Sequence, residues 1–363
     1  MLSLDQNIFQ KGATVRSRMI EYGTLVDQLH IVVATSPGLS PEKLSENVWV
    51  YPTNTSWKLF YFISAFKICK GILENFKTAS VRTVVSSQEG FTNFLALVLS
   101  IFYKFGLEVQ IHVDIFSPYF RRESFKNRIR VLGYWLGVKR ATGIRVTVGR
   151  IKKSLVVKWS IQSHRIKILP VFVDKTVFVG ARSSSMLHDK FPEFEHIILM
   201  ASRITREKNY PLAMEVFSLV RNRLPSTGLV VVGEGPERAN LVADYLVVLP
   251  WTNDLVPYYA SADIFLLTSD YEGYGRTLIE AALVGTPIVT TDVGLVGESV
   301  NGHNALIAPS RNAQKLAQHI LFLLKNKEAR VMMSDRLRKV GELLPSKEEY
   351  LKAYKFFWEK SAR

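Results

Sequence analysis

Cysteine is nearly absent: Cys69 stands alone in 363 residues. No intrachain disulfide can form, which suits a reducing compartment. The seven histidines are scattered, with no H-x-x-x-H spacing and no cysteine set beside them. No structural zinc site is legible. Long apolar runs are missing too. The longest, Leu59 to Phe66 and Phe94 to Tyr103, are closed by Lys58, Lys67 and Lys104. Both fall well short of the roughly 20 residues a membrane-spanning helix needs. No secretory signal is visible, because Asp5 follows only a short N-terminal segment. The expectation is a cytoplasmic protein, peripheral on the inner membrane face at most.

Acidic residues are scarce in one half of the chain. Residues 1–175 hold 25 Lys+Arg and 11 Asp+Glu, whereas residues 176–363 hold 22 and 21, within a net charge of +15. From Arg121 to Lys167 there are 14 basic residues and one acid, Glu123. A solvated face, an anionic membrane surface, nucleic acid and an anionic acceptor are all open readings of such a run. Phe125, Ile129, Tyr134, Trp135, Leu136, Leu155, Val156 and Trp159 interleave the charges, a composition that fits a membrane interface. No zinc finger or RNP aromatic pair is present, so nucleic acid is not the expected partner.

What is there is an alternation of strands and helices. The length suggests two domains. Met1–Leu4 reads as the tail of a first strand, short enough to raise a start upstream of Met1. Strands are expected at His30–Ala34, Val48–Tyr51, Val81–Ser86, Val109–Val113, Ile144–Val148 and Ile166–Leu169. Helices are expected at Arg16–Leu29, Lys58–Phe76 and Phe91–Phe105. Pro170 to Phe194, with its Ser183-Ser184-Ser185 tract and Pro192, reads as a linker. A second unit follows, with strands at Ile197–Met200, Leu229–Val232, Leu246–Leu249, Ile264–Leu267, Ile288–Thr290 and Ala305–Ile307. This alternation implies α/β architecture with parallel sheets. The terminal helix, Lys347 to Lys360, carries an apolar stripe of Tyr350, Leu351, Tyr354, Phe357 and Trp358 that needs a surface to pack on.

The chemistry-bearing residues cluster at strand ends. Ser269 to Ala281 places Glu272 and Glu280 eight positions apart, with Gly273, Tyr274 and Gly275 between them, where a buried strand gives way to a helix. Ligands of open α/β sheets lie at such ends. A helix starting near Arg276 and Thr277 would offer free N–H groups to an anion. Either glutamate could equally be an ordinary solvated charge. Arg203 and Lys208 follow another strand end and could clamp a diphosphate, or be surface charges. Val230 to Val232 leads into Gly233-Glu234-Gly235-Pro236, but Arg238 fills the third glycine position of a dinucleotide fingerprint, so that signal is weak. His112 and Asp114 close a strand of the first half. Gln88 and Glu89 follow another.

The E-x7-E spacing resembles the signature of retaining glycosyltransferases of family 4, which have the GT-B fold. The likeness is strong from Ile197 to about Leu324 and looser over 1–175. It implies two Rossmann-like domains facing across a cleft: an acceptor-binding domain at 1–175, a nucleotide-sugar-binding domain at 176–346, and a terminal helix, 347–363, crossing back to the first. It implies retaining transfer of a hexosyl group from a UDP- or GDP-sugar to a glycan or lipid-linked acceptor in cell-envelope synthesis. Arg203 and Lys208 would hold the diphosphate, Glu280 the ribose, and Glu272 with the Gly273, Tyr274 and Gly275 backbone the sugar, with Arg276 and Thr277 also on the donor. Glu272 and His112 would be the catalytic residues. Gly233, Gly235 and Pro250 would line the nucleotide pocket. Pro250-Trp251 departs from the usual Gly-Trp or Gly-x, and Leu295 replaces the second glycine of the G-G-x-x-E segment in Asp292–Glu298. His112 would face the sugar from the first domain. Gly12, Arg16, Gln88, Glu89 and Asp114 would lie on the acceptor side. No cofactor or metal is expected, since no D-x-D motif flanks the donor strands. A sugar-nucleotide epimerase of the same fold and a non-enzymatic basic nucleic-acid-binding protein are the alternatives.

Overall fold

The structure, a computed structural model, describes residues 1–57, 60–76, 81–178, 180–181 and 184–363. The chain forms two compact units, one of Met1–Pro170 with Lys347–Arg363 and one of Val171–Ser346. Each is a sheet covered by helices.

In the first unit the strands are β1 (Leu2–Ser3), β2 (Leu29–Val33), β3 (Glu42–Ser45), β4 (Val48–Pro52), β5 (Val84–Ser87), β6 (Gly106–Ile111), β7 (Gly143–Val146) and β8 (Ile166–Ile168). Their order is β3-β4-β2-β1-β5-β6-β7-β8. All neighbours run parallel except β3, an antiparallel edge strand with an irregular register against β4. Several expected boundaries shift. The first helix ends at Gly23, not Leu29, and Leu29 opens β2. The helix after β5 is Gly90–Phe102. Lys58, the expected start of the helix Phe60–Phe76, lies outside the described residues. β6 begins at Gly106, so His112 falls just past its end rather than inside it. Hydropathy conceals this strand, because Glu108 and Gln110 are buried within it.

Side chains alternate across a strand. Leu107, Val109 and Ile111 therefore face one side of the sheet while Glu108 and Gln110 face the other. That polar side receives the terminal helix Lys347–Ser361. Trp358 Nε1 donates to Glu108 Oε2 at 2.9 Å, and Gln110 Nε2 donates to Tyr354 OH at 2.6 Å. Arg145, from β7, donates to Tyr350 OH at 3.0 Å and to Tyr354 OH at 3.3 Å. A Cβ on Gly106 would stand 1.7 Å from the carbonyl oxygen of Ser361, so only glycine lets the helix end lie this close. The apolar stripe of the last helix thus packs on the first unit, through a buried polar network as well as through its rings.

In the second unit β9 (His196–Ala201), β10 (Thr227–Val232), β11 (Leu246–Leu249), β12 (Ile264–Leu267), β13 (Ile288–Thr291) and β14 (Leu306–Ala308) form a parallel sheet in the order β11-β10-β9-β12-β13-β14. Apart from His196 and Thr227 at their starts, its central strands are apolar because both faces are covered. One core joins Ile198, Met200, Leu229, Val231 and Leu266 to Val216, Phe217, Leu316 and Ile320 of the flanking helices. The segment expected to be a linker is part of this unit instead. Leu187, in the helix Met186–Lys190, is fully buried. Ser184 N donates to the Ala260 carbonyl at 3.2 Å, and His188 lies 3.4 Å from Asp263. A few buried contacts fix it, and a polar composition does not reveal them. Ser183 lies outside the described residues.

Candidate functional site

β9 and β12 are neighbours, but the chain leaves them in opposite directions, toward β10–β11 and toward β13–β14. The space beyond their carboxyl ends is the switch point where open α/β sheets bind ligands. The loop after β9 carries Arg203 to Asn209, and the loop after β12 carries Thr268 to Gly275. The two are stitched together. Thr268 Oγ1 donates to the Lys208 carbonyl at 2.8 Å, Asp270 N to the Glu207 carbonyl at 2.9 Å, and Asn209 Nδ2 to Asp270 Oδ1 at 2.9 Å. Arg311 closes on Asp270 with two bonds, of 2.9 and 2.8 Å.

The centre of this join is an ion pair. Lys208 Nζ lies 2.5 Å from Glu272 Oε1, which also accepts from Ser269 Oγ at 2.8 Å. Both charged side chains are only 13% exposed. Arg203 behaves differently: its side chain is 76% exposed and meets Glu207 at 3.2 Å. Of the two cations expected on a diphosphate, one is neutralised in place and the other reaches into water.

Glu280 lies inside the helix Arg276–Val284 and is 4% exposed. Arg276 Nε donates to one carboxylate oxygen at 2.6 Å and Tyr259 OH to the other at 3.0 Å. Burial raises the Glu280 pKa, while the Arg276 charge and the two hydrogen bonds work against that rise. Tyr259 escaped the sequence reading. It sits on the short helix Val256–Ser261, whose signal is Pro257 in the first turn. Ser269, Asn209, Asp270 and Arg311 were also missed, because a loop-to-loop bond leaves no periodicity to read.

The glycines divide by role. Gly275 caps the helix with φ +88, a left-handed conformation that suits glycine. A Cβ on Gly233 or Gly235 would stand 2.0 Å from Ser202 O or 2.2 Å from Ile204 O. The G-x-G loop therefore packs on the loop after β9, and Ile204 N donates to Glu234 O at 2.7 Å. Gly273, Tyr274 and Gly275 are buried, Thr277 is half-buried, and Pro250 stands exposed just after β11.

In the first unit, His112 is exposed and its Nε2 lies 3.0 Å from Gln110 Oε1. Gln110 Oε1 also takes Arg145 Nη1 at 2.8 Å. A guanidinium only donates, so the amide oxygen is fixed at that position and His112 Nε2 must carry the hydrogen. Although the side chain is exposed, the protein packed around it, followed by the Arg145 and Arg18 charges, lowers the His112 pKa. Asp114 Oδ1 accepts from Phe116 N at 3.0 Å. Burial raises its pKa, opposed by that bond and by Arg150 and Lys158. Glu89 is held by Arg130 at 2.8 Å and caps the helix Gly90–Phe102. Arg16 pairs with Glu42 at 2.7 Å, and Gln88 Nε2 lies 3.1 Å from Met1 Sδ. Gly12 has φ +84 in the loop before the first α-helix.

Two Rossmann-like sheets, the second with a charged switch point, make up the GT-B fold. Residues 187–340 match the family model of the glycosyl transferases group 1, and the chain is similar to glycosyltransferases along its length. It is similar to an uncharacterized glycosyltransferase of Haemophilus influenzae, 24% identical over 351 residues and 93% of each chain. It is also 24% identical to the UDP-Gal:alpha-D-GlcNAc-diphosphoundecaprenol alpha-1,3-galactosyltransferase of Escherichia coli, over 52% of this chain and 51% of that one. The structure of Anabaena HepE in complex with UDP and glucose superposes with a TM-score of 0.72 at 14% identity, covering 97% of both chains. No helix among the described residues is long and apolar enough to cross a membrane.

Proposed function

We propose that the enzyme transfers a hexosyl group, with retention, from a UDP- or GDP-sugar to a glycan or lipid-linked acceptor in cell-envelope glycan synthesis, as a member of family 4. The observation that carries the donor half is the join at the switch point, where Lys208, Glu272 and Ser269 meet, with Glu280 buried in the helix that follows. A diphosphate entering there takes Lys208 from Glu272 and draws in the exposed Arg203. These cations stabilise the negative charge that grows on the leaving diphosphate, usually the largest catalytic term. They also do the work that a metal does in other transferases. Glu272, released, accepts from hydroxyls of the sugar. Glu280 turns from Arg276 toward the ribose, with Tyr259 keeping its second oxygen. The anomeric C–O bond to the diphosphate breaks, the acceptor oxygen attacks from the same face, and its proton passes to the departing phosphate oxygen. His112 is the proposed sugar contact from the first unit, with Asp114, Gly12, Arg16, Gln88 and Glu89 on the acceptor side. Support for the acceptor class comes from the relative named for a diphosphoundecaprenol-linked acceptor.

Calorimetric titration with UDP, GDP and their hexose conjugates tests the donor site. Wild type binds one of these series, and Lys208→Ala and Glu280→Ala each weaken it about tenfold to a hundredfold, the loss of a charge-assisted contact. Unchanged affinity in both variants would remove the site. Product analysis without acceptor, giving an epimerised nucleotide sugar in place of transfer, would replace the reaction.

A further inference from the structure

The cations of Arg121–Lys167 left open whether they meet a partner or only water, and the fold adds neighbours to them. The connections β4→β5, β5→β6 and β6→β7 step across the sheet in one direction. Right-handed crossovers therefore place the helices Phe60–Phe76, Gly90–Phe102 and Phe125–Arg140 on one face of the first unit. They pack side by side: Phe66 meets Phe102 at 6.1 Å between ring centroids, and Lys126 lies 5.8 Å over the Phe91 ring. Their outward side chains are unusually apolar. Ile101 is 74% exposed and Phe125 73%, and Phe60, Ile63, Phe102 and Trp135 are exposed as well. Among them stand Lys67, Lys70, Lys126, Arg128, Lys139 and Arg140, all exposed. The only acid on the three helices is Glu74, which pairs with Lys70 at 3.7 Å.

We infer that this three-helix face docks the enzyme on an anionic lipid bilayer. Apolar side chains ringed by cations suit an interface where tails enter the acyl boundary and charges meet anionic headgroups. A second copy of the chain fits less well, because an isologous contact would set two like-charged faces together. Nucleic acid would use the cations but would leave Ile63, Ile101 and Phe102 without a role. The face also differs from the basic stretch read in the sequence. Of that stretch it takes the helix Phe125–Arg140, whose Tyr134 turns into the core, and it recruits two helices from outside. The β7→β8 crossover sets Gly149–Trp159, with exposed Val157, on the same side of the sheet. It holds no residue of the donor site, so it stands or falls independently of the proposed reaction.

The test is flotation of the full chain with vesicles of phosphatidylcholine alone or mixed with phosphatidylglycerol, at low and high salt. Three proteins are compared: wild type, Ile101→Ser/Phe125→Ser and Lys126→Glu/Arg128→Glu. The substituted side chains are exposed, so circular dichroism melts should match wild type. Wild type is expected to float with the anionic vesicles only, and to be partly released by salt. Each double variant should lose about tenfold or more in partitioning, while UDP affinity by calorimetry stays at the wild-type value. The inference is overturned if wild type ignores anionic vesicles at low salt, or if the serine variant floats as wild type does. It is equally overturned if sedimentation velocity shows a dimer that the serine variant dissolves, or if duplex DNA competes the protein off the vesicles and binds both variants and wild type alike.

Discussion

Lys208 and Glu272 neutralise each other in the ligand-free protein, and this makes one residue-scale outcome predictable. Glu272→Gln removes the competitor that an incoming diphosphate must displace. UDP itself should then bind about five- to thirtyfold more tightly, the equivalent of about 1–2 kcal/mol. Sugar transfer should fall about a hundredfold or more, because the sugar loses its carboxylate. Calorimetry with UDP, beside a transfer or hydrolysis assay, reads both. Weaker UDP binding in the glutamine variant would mean that Glu272 supports the site instead of competing within it. A second residue-scale outcome concerns His112. Arg145 fixes the Gln110 amide, and the lowered pKa keeps the imidazole neutral at pH 7. Nitrogen-15 NMR should report the Nε2–H tautomer, with no titration between about pH 6.5 and 8. Nδ1 protonation, or a midpoint in that range, would contradict the assigned network.

At the scale of elements, the terminal helix is the informative one. Its contact with β6 and β7 is polar at the centre and aromatic around it: Tyr22 and Trp358 flank Tyr354 with ring centroids 4.7 and 4.8 Å away. Glu108 is fully buried, and its Oε1 has no hydrogen-bond partner. Burial raises its pKa, opposed by bonds from Ser86, Trp358 and Gln110 and by the Arg145 charge. The folded protein therefore holds this proton to higher pH than the unfolded chain does. The resulting stabilisation is full below the ordinary glutamate range and is lost as pH rises through the raised value. Glu108→Gln should flatten that dependence. Between about pH 4 and pH 8 its melting temperature should fall less than that of wild type. Equal slopes would show that Glu108 ionises without cost. Trp358→Phe keeps the packing but removes one of the two hydrogen bonds to Glu108 Oε2, leaving Gln110 Nε2 at 3.2 Å, so it should lower stability by about 1 kcal/mol in urea melts.

For the whole molecule, the two units differ in how they are closed. Val171–Ser346 is continuous and has its own core, so the isolated segment should fold and melt cooperatively. Residues 1–170 alone lack Tyr350, Tyr354 and Trp358, and so open to water the face of β6 and β7 that those side chains cover, Arg145, Gln110 and Glu108 with it. That fragment should fail to give a cooperative melt until 347–363 is restored, which circular dichroism can follow.

Legibility in the sequence follows the same division. The strands of the second unit could be read because buried parallel strands are continuous apolar runs, and Glu272 and Glu280 stand out against such runs. The first unit was blurred where polar residues are buried. β6 was misplaced because Glu108 and Gln110 look like surface residues until Trp358 and Tyr354 cover them. Glu89 and Arg16 looked like free ligands-in-waiting, but their partners Arg130 and Glu42 are distant in sequence. By itself the sequence determined the α/β alternation, the charge imbalance and the strand ends where chemistry gathers, because periodicity and composition are local. Only the tertiary structure decided that Lys208 rests on Glu272, that Tyr259 backs Glu280, that Trp358 and Tyr354 of the last helix bond Glu108 and Gln110, and that three separated helices share one apolar, basic face. Each of those pairings depends on which strands lie side by side, and strand order is set by the burial of the whole sheet rather than by any one segment.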